Sequence, residues 1–446
     1  MNVVILGNGI SGVTAARHIR KQSDHEITIV SSETPYFYSR TALMYVYMGH
    51  MRFQDTQPYE NNFWEKNNIH LVQTHITDIN FEQKQLLAEN GDKIAFDKLI
   101  IAVGSKPNKF GWPGQDLDAV HGLYHKQDLE AMERHSEGLK KAVIVGGGLI
   151  GLEMAEMFLS RKIPVTFLVR ESDYWRIVLP KEESKMISRH IEHHGIDLRL
   201  STELKEIIDD GSGKACAVIT NKDERIDCGF VGLTAGVSPN VAFLKNKGLN
   251  IGRGIQVNEF LETNIPDVYA IGDCAEMLAP KAGRRPIEAV WYTGRMMGET
   301  VADNICGNKK SYHPGIWFNS AKFLDIEYQV YGHIPGDLPE GTQTLYWEHA
   351  DGAKSIRINY SAKDGVVTGF NLMGIRYRHE VCEKWLAQKA NIETVLENLS
   401  LANFDPEFFK TYESDIISLY NQQSGSALQP KRKRSLTSVL SFLKSK

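Results

Sequence analysis

Three glycines, Gly7, Gly9 and Gly12, follow an apolar run from Val3 to Leu6, and the same spacing recurs at Gly146, Gly148 and Gly151 behind Val143 to Val145. Residues of this type bind rather than react. In a G-x-G-x-x-G turn the first glycine permits a tight bend. The second lets the backbone approach a pyrophosphate, and the third lets the next helix pack closely on its strand. The N–H groups of that helix's first turn then face the phosphates. Ser11 and Ile150 lie inside the two turns, and Glu33 stands where a carboxylate would accept a hydrogen bond from a ribose hydroxyl. Two such units in one chain imply two dinucleotides set face to face. The redox chemistry then belongs to the cofactors, and the protein supplies binding and orientation.

The elements that must position these loops are legible around them. Val13, Ala16 and Ile19 mark a helix after the first turn, and Ile27 to Val30 a second strand before Glu33. The repeat has its own second strand, Val165 to Val169. Strand-like pieces fill Asn61 to Ile94, with a turn at Asn90-Gly91-Asp92. Pro180 to His194 has the pattern of an amphipathic helix, and Leu198 to Ile208 and Cys216 to Thr220 read as strands. The expected fold class is α/β, with two Rossmann-like dinucleotide-binding domains and a C-terminal α+β domain. The expected division is 1–110 with 230–308, then 111–229, then 309–422, and a basic tail over 423–446.

Composition narrows the function. The chain has 446 residues, 42% hydrophobic and 24% charged, at a net charge of −4. Six Lys and Arg follow Gly425 with no acid among them, leaving −10 for the rest, so no nucleic-acid partner is expected of the body. No run reaches the 18 apolar residues of a membrane span, and the immediate N-terminal strand leaves no room for a signal peptide. Five cysteines without an even framework or a C-x-x-C suit a reducing cytoplasm. His190, His193 and His194 read as a polar helix end, and no metal site is expected.

From Pro35-Tyr-Phe-Tyr-Ser-Arg40 onward the chain resembles the two-dinucleotide flavoprotein reductases of the pyridine nucleotide-disulfide oxidoreductase superfamily. The likeness is to the branch of ferredoxin and rubredoxin reductases and the flavin module of NAD(P)H nitrite reductases. It runs through Ala102-Val-Gly104-Ser-Lys-Pro107, Gly236-Val-Ser-Pro-Asn240 and Gly272-Asp273, covering about residues 1–300. It implies FAD on the first glycine loop and NADH or NADPH on the second. Arg40 would then hold the FAD pyrophosphate, Asp273 the ribityl hydroxyls, and Trp291 would stack near the flavin ring. Glu153 would lie beside the flavin and nicotinamide rings, and Gly236 would serve the nicotinamide side. Tyr45 occupies the place of a lysine that the relatives commonly set near flavin N5. Val169 fills the place of the acid usual in NADH-specific members. Arg170 suits a 2′-phosphate and Glu171 a 2′-hydroxyl, which leaves both nucleotides open.

The superfamily's redox cysteines are missing, since no cysteine precedes Cys216. A thiol mechanism therefore has no nucleophile in that place. The expected reaction is FAD-dependent NAD(P)H oxidation, with electrons passed to a small ferredoxin- or rubredoxin-like protein. Two other functions share these motifs: a peripheral NADH:quinone reductase, and an NADH-sensing redox scaffold resembling apoptosis-inducing factor. The resemblance also implies homodimerisation through the C-terminal domain. The tail joins Lys431-Arg-Lys-Arg434 to Leu436, Val439, Leu440 and Leu443 on one helical face. That pattern suits weak docking to a partner, or peripheral attachment at the inner face of a membrane.

Overall fold

The computed structural model describes residues 1–431, so the basic helical pattern expected at Leu436 to Leu443 lies outside the described residues. The chain divides into two compact units. One joins Met1–Trp175 to Ile191–Gly315, and the other joins Arg176–His190 to the chain from Ile316 onward.

The first unit holds two five-stranded parallel sheets of like design. Asn2–Leu6 is the central strand of the first, with Glu26–Ser31 then Ile69–Gln73 on one side and Lys98–Ile101 then Val268–Ala270 on the other. Ala142–Val145 is central in the second, between Val165–Leu168 then Asp197–Arg199 and Phe230–Leu233 then Val120–His121. Val3, Val4 and Ile5 are fully buried, as are Val143 and Ile144. Unbroken apolar strands of this kind are what a parallel sheet covered on both faces requires. The helix Ile10–Gln22 leaves the first central strand and Leu149–Ser160 leaves the second. Into each sheet a three-stranded antiparallel ribbon is inserted, Ile76–Asn80 to Lys93–Ala95 before Lys98–Ile101 and Leu204–Asp209 to Arg225–Asp227 before Phe230–Leu233. The turn expected at Asn90-Gly91-Asp92 closes a hairpin in the first ribbon, where the Ala88 N–H donates to the Asp92 carbonyl at 2.9 Å.

Phe230–Leu233, expected to open the returning stretch of the first domain, instead pairs with Ala142–Val145 in the second sheet. The reason is packing: Phe230 is fully buried with its ring 5.1 Å from that of Phe158, on the helix of the second unit of the repeat. The chain re-enters the first sheet only at Val268–Ala270.

The helix Trp291–Ile305 then lies against Ile10–Gln22. A Cβ at Gly298 would stand 2.5 Å from the Ser11 carbonyl, so this crossing tolerates no side chain there.

The second unit is α+β. Its antiparallel sheet runs Phe318–Phe323, Ile326–Gly332, Val367–Met373, Ser355–Ser361, Thr342–Glu348. The helices His379–Ala387, Ile392–Glu397 and Glu413–Ser424 complete it. Arg357 makes a two-pronged pair with buried Glu183 at 2.7 and 2.8 Å, and Asn371 donates to the same carboxylate at 3.1 Å. A buried charge needs this full set of partners. No helix of the described residues is long and apolar enough to cross a membrane.

Candidate dinucleotide site

A cavity of about 570 Å³ opens above the first sheet, within the range of roughly 300–1,000 Å³ usual for cofactor clefts. Its floor is the loop Gly7 to Ser11. The glycines divide the work. A Cβ on Gly7, at φ +117°, would sit 2.1 Å from the Ala102 carbonyl oxygen, and one on Gly12 would sit 2.1 Å from the Gly7 carbonyl oxygen. A Cβ on Gly272 would reach the Ser11 hydroxyl at 2.3 Å. These three glycines let the chain approach itself. A Cβ on Gly9 would meet nothing within 4 Å, so its open side can face a ligand. Gly9 also caps the helix Ile10–Gln22 with no side-chain hydrogen bond, and no acid stands in its first turn. The helix N–H groups are left to an anion.

The wall brings together Glu33, Arg40, Ala102, Gly104, Asp273 and Trp291. Gly12 and Gly272 stand behind it as packing positions. The carboxylate of Asp273 accepts a hydrogen bond from the Tyr124 hydroxyl at 3.2 Å, and that hydroxyl accepts one from the Ser105 N–H at 2.9 Å. Burial pushes the Asp273 carboxyl above its ordinary value against this hydrogen bond. An acceptor poised in this way suits the hydroxyls of a ribityl chain. Glu33 and Arg40 were expected to take different parts of the cofactor, and here they pair with each other at 2.7 Å. Glu33 also accepts hydrogen bonds from the Tyr38 hydroxyl and, at 3.0 Å, the Lys126 N–H. Burial alone would raise its carboxyl, but the Arg40 guanidinium overrides that and holds it below the usual carboxylate range. Arg40 in addition donates to the Tyr124 carbonyl and lies 4.6 Å over the Tyr124 ring. Contact from Arg40 to a pyrophosphate therefore involves an exchange of anionic partners.

Tyr45 does not line the cavity. Its ring stacks on His50 at 6.0 Å, and Leu43 and Met44 face the cavity from the same helix. Trp291 opens the helix Trp291–Ile305 and is 38% exposed, so it stands at the mouth and not in the interior. Tyr124, His125 and the segment Thr74 to Ile76 also form wall. Nothing in their local sequence marks them, because they arrive on two segments far along the chain from the glycine loop.

The second glycine loop repeats the geometry of the first. Gly146 is also at φ +117°, its Cβ blocked by Thr234 and Ala235 at 2.7 Å, and a Cβ on Gly151 would sit 2.5 Å from the Gly146 carbonyl oxygen. Gly148 is open, with nothing within 4 Å, and its carbonyl accepts from the buried Tyr174 hydroxyl at 3.0 Å. Ile150 and Glu153, on the helix that leaves this loop, line the first cavity. Arg170 and Glu171 pair at 3.0 Å beyond the strand Val165–Leu168, with Arg170 largely exposed. Gly236, at φ +85°, lies between the two sheets' connecting strands, where its carbonyl accepts from the Asn108 N–H at 3.0 Å. None of the five free cysteines lines the cavity. Cys274, beside Asp273, is fully buried, and burial pushes its thiol up to about 12.

Known proteins resemble the chain in sequence and in fold. The chain is 28% identical over 395 residues to an NADH oxidase of Methanocaldococcus jannaschii, covering 84% of this chain and 88% of that one. It is 30% identical over 339 residues to the NADH-rubredoxin oxidoreductase of Clostridium acetobutylicum, covering 76% and 83%. In fold it matches an NAD-dependent persulfide reductase from A. fulgidus at a TM-score of 0.82 and 22% identity, over 98% of this chain and 89% of that one. The family model described as pyridine nucleotide-disulphide oxidoreductase matches residues 1–298, the stretch that carries both glycine loops and Asp273. Two open glycine loops, a shared cavity and that match together place the chain in the pyridine nucleotide-disulphide oxidoreductase family, as an FAD-dependent oxidoreductase that takes its electrons from a pyridine nucleotide.

Proposed function

We propose that the protein passes electrons from NADH, over FAD, to a small iron–sulfur or rubredoxin-type protein. One observation carries this reading: Ile150 and Glu153 start from the second glycine loop yet form wall of the cavity built on the first. A nucleotide held at Gly148 thereby has its reactive end directed toward a ligand held at Gly9. When bound, FAD supplies the redox chemistry and turns a two-electron donor into single electrons. The protein's residues do the holding. The uncapped helix Ile10–Gln22 takes the pyrophosphate and Asp273 takes ribityl hydroxyls. Leu43 and Met44 present apolar surface that excludes water from the ring.

NADH is favoured as donor by the names of the two relatives, and Glu171 offsets the charge of Arg170 that a 2′-phosphate would seek. A one-electron protein acceptor is favoured by the rubredoxin oxidoreductase likeness and by the lack of any cysteine on the cavity wall. Anaerobic stopped-flow mixing tests the reading. One equivalent of NADH should bleach the bound flavin within one turnover, and two equivalents of oxidised rubredoxin or ferredoxin, each taking one electron, should restore its colour. No bleaching with NADH or NADPH would overturn it. Recovery only on admitting oxygen would point to an oxidase.

A further inference from the structure

We propose that Asp118, His121 and His135 form a binding site for a divalent transition-metal ion of the zinc class, apart from the dinucleotide cavity. None of the three lines that cavity. One ligand-competent atom from each lies within 4.8 Å of the other two. Tetrahedral zinc, with bonds of about 2.0–2.2 Å, sets its ligands about 3.4 Å apart. Closing that difference takes small rotations of the three side chains, and the Asp118 carboxylate, 59% exposed, is free to turn inward.

Hydrogen bonding among the three is incomplete. His135 Nε2 lies 3.1 Å from an Asp118 oxygen, whereas His121 Nε2 is buried with no hydrogen-bond partner. A buried polar atom left in this state carries a desolvation cost. A single proton joins only two of these groups, but a metal ion takes a lone pair from all three.

The frame around them is fixed. The Asp118 N–H donates to the Gly213 carbonyl at 2.9 Å, and its carbonyl accepts from Ala215 at 3.0 Å. His121 ends a strand of the second sheet, paired beside Gly232. His135 lies in the last turn of the helix Lys126–Ser136. The two imidazoles stack at 5.7 Å, and both rest near the buried Phe230 ring, at 6.0 and 6.3 Å. Two imidazoles and one carboxylate suit zinc and its neighbours better than calcium or magnesium, which prefer oxygen alone. The exposed side of Asp118 leaves the remaining position to water.

The test is a Zn²⁺ titration of the full-length FAD-loaded enzyme, first stripped with a chelator, in competition with a chromophoric chelator. One tight equivalent is expected in the wild type. It should disappear in the double variant His121→Gln, His135→Gln and weaken by at least about a hundredfold in Asp118→Ala, since loss of an outer-shell partner alone costs up to that much. Flavin content and NADH-driven bleaching without zinc should be the same in all three proteins. Equal stoichiometry and affinity in wild type and double variant would overturn the proposal. If the variants lose their flavin, zinc-edge X-ray absorption of the wild type decides. Two imidazole nitrogens with oxygen at about 2.0–2.2 Å support the site, and a shell of oxygen alone refutes it.

Discussion

Gly9 and Gly148 offer a paired perturbation that separates folding from binding. Both are in extended conformation, at φ −71° and −104°, which alanine adopts without strain. A methyl at either position meets no protein atom within 4 Å. Replacing a glycine N-cap by alanine costs about 0.5–1 kcal/mol of helix stability. Reduced freedom of the unfolded chain returns about 0.4–1 kcal/mol. The net is close to zero, so the Tm of the flavin-free protein should move by no more than about 3 °C.

The ligand bears the effect. Displacing a phosphate from the helix N–H groups forfeits at least one charge-assisted hydrogen bond, about 1.5–3 kcal/mol. That corresponds to about a 10- to 150-fold rise in Kd. Gly9→Ala should therefore purify folded and flavin-poor, with its FAD affinity read by fluorescence titration. Gly148→Ala should keep its flavin and show the same rise only in the NADH concentration dependence of flavin bleaching. Gly7→Ala is the control for a fold defect, since its methyl would stand 2.1 Å from a backbone carbonyl that has nowhere to go. The reasoning fails if Gly148→Ala loses FAD while Gly9→Ala retains it, or if neither substitution changes an affinity.

Glu33 and Trp291 on the cavity wall, and Cys274 buried beside Asp273, each carry a further test. The folded-state Glu33 carboxyl is held below its unfolded value of about 4.5, so its ionised pairing with Arg40 contributes stability above that pH and loses it as pH falls through the lower folded value; Glu33→Gln should cost about 1–3 kcal/mol in urea unfolding of the flavin-free protein at pH 7, with the deficit narrowing as pH falls below about 4.5. Trp291→Leu should raise the fluorescence of bound flavin and weaken FAD binding by about 2- to 12-fold, the worth of one aromatic pair of about 0.5–1.5 kcal/mol, and unchanged fluorescence would remove Trp291 from the ring's neighbourhood. Cys274→Ala should leave the rate of NADH oxidation within about twofold, because its thiol, pushed up to about 12, is not a thiolate at neutral pH; loss of turnover with flavin still bound would restore a thiol mechanism.

The two strand–turn–helix units were legible because they are local. A run such as Val3 to Leu6 and three glycines at fixed spacing constrain the same dozen residues, and the paired strands and helices stand where those residues put them. The turn at Gly91 and the helix Lys181–His193 are legible for the same reason. Convergence of distant loops is not local. Tyr124 reaches Asp273 across 149 positions, and neither residue's neighbours advertise the other. Tyr45 illustrates the opposite error, in which a position counted along the chain from Arg40 does not fix a direction in space. The helix Leu43–Tyr47 turns Leu43 and Met44 toward the cavity and leaves Tyr45 on His50. Membership of Phe230–Leu233 in the second sheet was hidden because a buried parallel strand reads alike in either sheet.

The strand Val268–Ala270 has a consequence for how the protein is made. It pairs with Lys98–Ile101, but about 165 residues separate the two in the chain. At roughly 5–20 residues per second, a ribosome needs about 10–30 s to bridge that gap. During that interval the nascent first sheet lacks its edge, and the seat for the cofactor lacks Asp273 and the helix behind it. The inserted second sheet, whose strands end at Leu233, is complete earlier in synthesis. Birth order is thus reversed between the two sheets: the one begun first is completed after the one inserted into it, and the full seat for the cofactor exists only once Trp291–Ile305 has been made.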